Sequence, residues 1–274
     1  MPAINTNAAA NAAVRYLNLN SAQETSSLSK LSSGSRITSA SDDAAGLAIS
    51  TRISSDVTTL QQAATNASQA TSILQTADGG ASNISDILAR MKSLASESAS
   101  GTTTDSSRAY INSEFTALSN EIDSIASGTR YSNQSLLDGT SVFSGGVSVL
   151  VGSSSTDTIT VTLTSLKSST LGVAALSVTT QANANSALTA LDSAIDTVSA
   201  ARASIGAQES RFNFSSDSIS TQTQNLQSAN SAIRDVDIAA EQAKLSSAEV
   251  KTQAAVSAEA AANQMPQYLL KLLG

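Results

Sequence analysis

Neither cysteine nor histidine occurs anywhere in this chain of 274 residues, tryptophan is absent, and the only prolines are Pro2 and Pro266. Each absence removes a class of function. Without Cys there is no disulfide framework and no thiol nucleophile, and without Cys or His the usual zinc donors are missing. Serine is abundant, but a nucleophilic serine needs a base and has no imidazole to supply one. Aromatics make up 3% of residues and charged residues 14%, against about 25% in an ordinary domain. The net charge of −7 and the lack of a Lys/Arg cluster argue against nucleic acid or an anionic membrane as partner. No apolar run approaches the ~18 residues of a membrane span, and the N-terminus has no basic region followed by an apolar core. By these signs alone the chain reads as cytosolic, non-enzymatic and free of metal or cofactor.

What remains is mostly Ala, Ser, Thr, Asn and Gln with long heptad phase, which suits thin, closely packed helices. Ala10, Val14, Leu17, Ser21, Glu24, Leu28 and Leu31 step by four and three. A second seam runs Ile49, Ile53, Val57, Leu60, Ala64, Ala67, Thr71, Leu74, Ala77, Ala81, Ile84, Leu88, Met91, Ala95, a helix about 70 Å long at ~1.5 Å per residue. Gly79 and Gly80 mark a weak point in it without shifting the phase. Ile111, Phe115, Leu118, Ile122 and Ile125 predict a third helix ending near Gly128.

Between Leu136 and Gly172 the period changes to two. Val147, Val149 and Val151, then Ile159, Val161 and Leu163, read as strands, so a small β-element is expected at about 139–180. Helical phase resumes from Leu188 to Leu226. It returns from Val236 through Ala240, Ala243, Ser247, Val250, Ala254, Ser257, Ala261 and Gln264 to Tyr268. The expected fold is mainly α: long antiparallel helices in a coiled-coil bundle, a small central β-element, and terminal helices that pair. The aromatics Tyr16, Tyr110, Tyr131, Phe115 and Phe212 are expected to be packing anchors.

The acidic pair Asp42 and Asp43 raises the question of catalysis. Neighbouring helical residues diverge by about 100°, so the two carboxylates do not converge on one substrate atom. A helix start is the better reading, with Ser41 as cap and both Asp residues in the first turn. The end segments, 1–33 and 236–270, pose a different problem. Their seams are too poor in large apolar residues for a stable two-stranded pairing, which points to an assembly in which neighbouring copies supply the missing burial.

These residues resemble bacterial flagellin. The likeness lies in Leu31, Ser32, Ser33, Gly34, Arg36, Ile37 and Ser41 to Gly46, in Asn66, in LQTADGG (Leu74 to Gly80) and in RMKSLASES (Arg90 to Ser98). It continues in Arg211, Phe212, Asn213, in Ala229 to Asp237, and in the closing ANQMPQYLLKLLG. It covers roughly 1–140 and 185–274. The resemblance implies a terminal helical domain, 1–40 with 232–274, forming the inner tube of a filament, and a bundle domain, 41–231, around it. The terminal segments would fold on assembly.

Assembly residues would be Val14, Leu17, Leu28 and Leu31 against Val236, Val250 and Tyr268, with Leu269, Leu270, Leu272 and Leu273 as an apolar plug. The connecting spoke would hold Gly34, Arg36, Asp42, Asp43 and Gly46, with Arg36 a candidate ion-pair partner of either Asp, in its own or a neighbouring copy. Partners would be other copies of the chain, an export chaperone, filament cap and junction proteins, and O-glycans on the Ser/Thr of 140–180. Export through the flagellum's own channel would place the protein outside the cell, against the cytosolic reading above. In the region that an innate immune receptor contacts in this family, Arg90, Leu94 and Glu114 are kept, but Ser93 stands where Glu is usual, so weakened activation is expected. A hook–filament junction protein or a secreted coiled-coil adhesin is the alternative.

Overall fold

The computed structural model describes residues 7–273, the stretch 266–273 by backbone alone. Five long helices carry the chain: α1 (Ala8–Ser33), α2 (Ala44–Ala99), α3 (Asp105–Gly128), α4 (Gln181–Arg234) and α5 (Ile238–Leu273). Each starts on a polar cap. Asn7 Oδ1 accepts from the Ala10 N–H, Asp43 Oδ1 from Gly46, Thr104 Oγ1 from Ser107, Thr180 Oγ1 from Asn183 and Asp237 Oδ1 from Ala240. Every helix thus satisfies one of its otherwise orphaned N–H groups. The expected cap at Ser41 is corrected: α2 begins at Ala44, two residues later than the sequence pattern suggests, and Asp43 caps it.

Two compact units result, Met1–Ser55 with Asn225–Gly274, and Asp56–Gln224. In the second, α2 buries one residue every three or four from Leu60 to Ser98, including Leu74, Ile84, Leu88 and Met91, each 0% exposed. Phe115 and Ile122 of α3 and Leu191, Val198 and Phe212 of α4 join them in one core. The heptad reading of α2 holds there, and the helix runs unbroken through Gly79 and Gly80. A Cβ at Gly80 would press on the Thr129 side chain and lie 2.9 Å from Leu137 Cδ1, so this glycine admits the chain leaving α3.

That chain turns in a hairpin the periodicity did not reveal, β1 (Arg130–Tyr131) with β2 (Gln134–Ser135). Its two loop residues, Ser132 and Asn133, have φ of 48° and 67°, a primed turn built without glycine. The larger hairpin pairs β3 (Val147–Leu150) with β4 (Thr158–Val161), antiparallel, Val147 opposite Val161. This is the expected β-element.

Side chains of the helices hold this region by its backbone. Gln208 Oε1 accepts from Thr162 N–H at 2.9 Å and its Nε2 donates to Thr162 O at 3.0 Å. Asp123 accepts from the amide and hydroxyl of Ser168, and Asn112 Oδ1 accepts from Val178 N–H. The buried Arg108 donates to the carbonyls of Ser98 and Ser100, closing the end of α2. Ion pairs join the helices outside the core, Arg90 to Glu114, Lys92 to Asp192 and Arg202 to Asp78. Phe115, Phe212 and Tyr131 are packing residues as expected, whereas Tyr110 is exposed on α3.

Candidate functional site

In the other unit α1 and α5 pair antiparallel. Asn7 donates to the Ala262 carbonyl (2.8 Å), Thr252 to Glu24 (3.4 Å) and Ser27 to Glu241 (2.8 Å). The residues turned inward on α1 are Ala10, Ala13, Leu17, Asn20, Glu24, Ser27 and Leu31. On α5 they are Glu241, Leu245, Ala248, Thr252, Ala255, Glu259 and Ala262. Both sets step by three and four, so the seam is a true heptad seam, but a small and polar one.

The expected phase is corrected here. Val14 (37% exposed) and Leu28 (59%) lie outside the seam on α1, and Val250 (70%) lies outside it on α5, so these residues do not face one another within the chain. Leu17 and Leu31 are half-buried in it, and Val236 is half-buried just before α5. The phase was read from the largest apolar residues, while the chain buries Ala, Ser and Glu against itself. Tyr16 and Leu19 of α1 and Ile238, Val256 and Met265 of α5 are exposed as well. The result is a helix pair with apolar side chains directed away from its own seam. Tyr268, Leu269, Leu270, Leu272 and Leu273 lie outside the residues whose side chains are described.

At its base the pair is fastened by a short clasp. α1 ends at Gly34, whose φ of +66° turns the chain. Ser35 then bridges Asp235 in an isolated antiparallel contact, with Arg36 N–H donating to Arg234 O (2.6 Å) and Val236 N–H to Gly34 O (3.1 Å). Ser35 is buried, its hydroxyl 3.0 Å from the Ile37 carbonyl and 3.1 Å from that of Arg234. Arg36 directs Nε and Nη2 to the Ile233 carbonyl (3.2 and 2.8 Å), one of the last acceptors of α4. The expected pairing of Arg36 with Asp42 or Asp43 is therefore absent within the chain: the guanidinium satisfies a helix end instead.

Asp42 does other work. Its Oδ2 accepts from Thr38 N–H (3.0 Å), Thr38 Oγ1 (2.9 Å) and Ser39 N–H (3.0 Å), tying the spoke into a tight turn. The Ser39 amide, then the Thr38 hydroxyl and amide, hold its carboxyl at about 2. Gly46 is buried because a Cβ there would collide with the capping Asp43 carboxylate and lie 2.8 Å from Ile37 Cδ1. Glu241, buried in the seam, is held below the usual carboxylate range by Lys244 and then by Ser27. Ser27 and Lys30 stand at a Ser-x-x-Lys spacing, yet the Ser27 hydroxyl donates to that carboxylate.

Among the described residues no cluster of His, Cys, Asp or Glu is arranged to hold a metal, and no helix is long and apolar enough to cross a membrane. Of the three residues singled out for receptor contact, Arg90 and Glu114 are exposed and joined at 2.7 Å, Ser93 beside them is exposed, and Leu94 is 2% exposed. Leu94 belongs to the core and presents no side chain.

Comparison with known proteins matches the family described as bacterial flagellin N-terminal helical region over residues 4–142 and the C-terminal helical region over 188–273. A flagellin of Halalkalibacterium halodurans is 38% identical over 272 residues, covering 98% of this chain and 99% of the relative. One of Listeria monocytogenes is 35% identical over 283 residues with the same coverage. The crystal structure of Bacillus cereus flagellin superposes with a TM-score of 0.52 at 29% identity, over 61% of this chain and 94% of that one. A putative flagellar hook-associated protein from Vibrio parahaemolyticus shares the fold alone, with a TM-score of 0.58 at 17% identity over 71% of this chain and 100% of that one.

Proposed function

Because the chain belongs to the bacterial flagellin family, we infer that its terminal helix pair is the surface through which it polymerises. It is a structural subunit of the flagellar filament, an extracellular structure, and the junction-protein alternative is not favoured. The observation that carries the polymerisation surface is the pattern of α1 and α5, whose seam is mostly Ala, Ser and Glu with three Leu, while Val14, Tyr16, Leu19, Leu28, Ile238, Val250 and Val256 lie outside it. Such a pair buries too little of itself to be stable alone, and it gains burial only against other copies. The terminal segments 1–40 and 232–274 then form the inner tube and 41–231 the surrounding layer. Val14, Leu28 and Val250 point between copies.

Purified subunits brought to assembly with an excluded salt such as ammonium sulfate should give long uniform filaments in the electron microscope. Removal of residues 1–33 and 238–274 should abolish them while unit 56–224 stays folded. Filaments from the trimmed chain would place the assembly surface elsewhere.

Export proceeds through the flagellum's own channel with a dedicated chaperone, and cap and junction proteins bound the filament. Exposed Ser153, Ser154, Ser155 and Thr156, in the loop between β3 and β4, are sites for O-glycans, which an intact mass equal to the sequence mass would refute. The absence of a Glu at Ser93 weakens the innate immune receptor's grip on the Arg90–Glu114 surface. Reporter cells responding as strongly as to a potent flagellin would contradict this.

A further inference from the structure

An open helical polymer of one chain requires heterologous contacts, in which one face of a copy meets a different face of the next. Helix α5 carries two faces of opposite charge. On one, Lys244 and Lys251 stand seven residues apart, nearly in line along the helix. They flank a cavity of about 390 Å³ together with Ser247 and with Asn20 and Gln23 of α1. Lys244 is already bridged to Glu241 at 2.8 Å, whereas Lys251 makes no ion pair among the described residues.

The other face lies about 140° around the helix from Lys244. There Glu249 is exposed between Ile238 (65% exposed) and Val256 (47%), and it too has no ion pair among the described residues. Glu249 and Lys251 cannot satisfy each other, since residues two apart on a helix point away from one another.

We propose that the Lys244–Lys251 groove of one copy receives the Glu249 face of the next copy of this chain. The groove supplies a free ammonium group with the side-chain amides of Asn20 and Gln23 beside it, the chemistry that accepts a carboxylate. Ile238 and Val256 bring apolar surface that covers the pair and lowers the local dielectric. At a net charge of −7 the copies repel one another overall, so a local positive-to-negative contact selects how they approach.

This inference rests on the filament reading, and seeded growth separates the two. Short wild-type filaments are extended with purified subunits at ~0.1 M salt, where charges act over about 10 Å. Lys251→Glu and Glu249→Lys should each slow growth about tenfold, and the double variant should return to within about threefold of wild type. An equal mixture of the two single variants should grow where each alone stalls, because each supplies the face the other lacks. Both positions are exposed, so circular dichroism should show the single variants folded like wild type. Growth of Lys251→Glu at the wild-type rate overturns the proposal, as does a double variant no better than its worse parent. Normal growth of Lys251→Glu, coupled with a wild-type groove whose lysine resonances shift with inorganic phosphate, would reassign the groove to small anions. Wild-type subunits that form no filaments under any assembly condition, so that no seeds can be prepared, sink the filament reading instead.

Discussion

Residues 56–224 and the terminal pair are built from the same periodicity and bury opposite kinds of side chain. In the first, the heptad positions hold Leu74, Ile84, Leu88, Phe115, Leu191 and Phe212, all fully buried, and the surface is Ser, Thr and Asn. In the second, the inward positions are mostly small or polar, among them Ala13, Ser27, Glu241, Ala248 and Ala255 beside Leu17, Leu31 and Leu245, and many large apolar residues are outside. Among the described residues, nine of the twelve large apolar side chains left exposed belong to the terminal unit, although it is the smaller of the two. A heptad repeat therefore states that a helix will be covered along a stripe, not that the same chain will cover it. The first unit is a finished core, and the second is half of an interface.

The sharpest way to break this contrast is to place one charge on the outer stripe. Leu28→Asp should abolish filament growth, because the carboxylate becomes buried between copies, and should leave the melting of unit 56–224 unchanged. Normal filaments from this variant would show that the outer stripe is only a solvated surface. A cavity in the finished core should do the reverse: Phe115→Ala is expected to cost about 3–5 kcal/mol in denaturant unfolding. A loss below about 1 kcal/mol would mean that the core around α3 collapses onto the gap.

Smaller effects sharpen the local claims. Asp43→Ala should cost about 1 kcal/mol through the lost cap, with Ser41→Ala near neutral. The opposite ranking would restore Ser41 as the cap. Glu209 on α4 has a buried Oε1 with no hydrogen-bond partner among the described residues, and burial, then the charge of Asp78, raise its pKa above the ordinary 4.5. The folded state therefore holds this proton more tightly. Its stabilising contribution is complete below 4.5 and is lost as pH rises through the raised value. Glu209→Gln should melt higher than wild type at pH 7 and lose that advantage at low pH, so a lower melting point at pH 7 would refute the assignment.

Asp42 has the contrary sign. With its carboxyl lowered from 3.8 to about 2, its contribution is present above 3.8 and disappears as pH falls through about 2. Hydrogen exchange at the Thr38 and Ser39 amides, both bonded to Asp42, should speed up in that window and show no such step in Asp42→Asn.

Much of this molecule was legible in its residues because helix formation and strand alternation are local. The run Leu60 to Ala95, the stop at Gly128 and the alternating valines from Val147 to Val151 each announce an element by period and punctuation. The hairpin at 130–135 was not legible, since Ser132 and Asn133 adopt positive φ without the glycine that usually signals such a turn. The intrachain partner of Arg36 was not legible either, because a guanidinium serves a helix-end carbonyl as readily as a carboxylate. Only the folded chain shows that Ile233 lies nearer at hand.

What the sequence alone determined was the helical class and the pairing of the terminal helices. What only the tertiary structure decided was the phase of the terminal seam. Ala and Ser can face a partner helix or solvent at similar cost, so a small-residue heptad supports neighbouring phases almost equally. The clasp at Ser35 and Asp235 and the buried Ser27–Glu241 contact, made by residues some 200 positions apart, select one of them. In doing so they turn Val14, Leu28 and Val250 outward, where another copy can cover them.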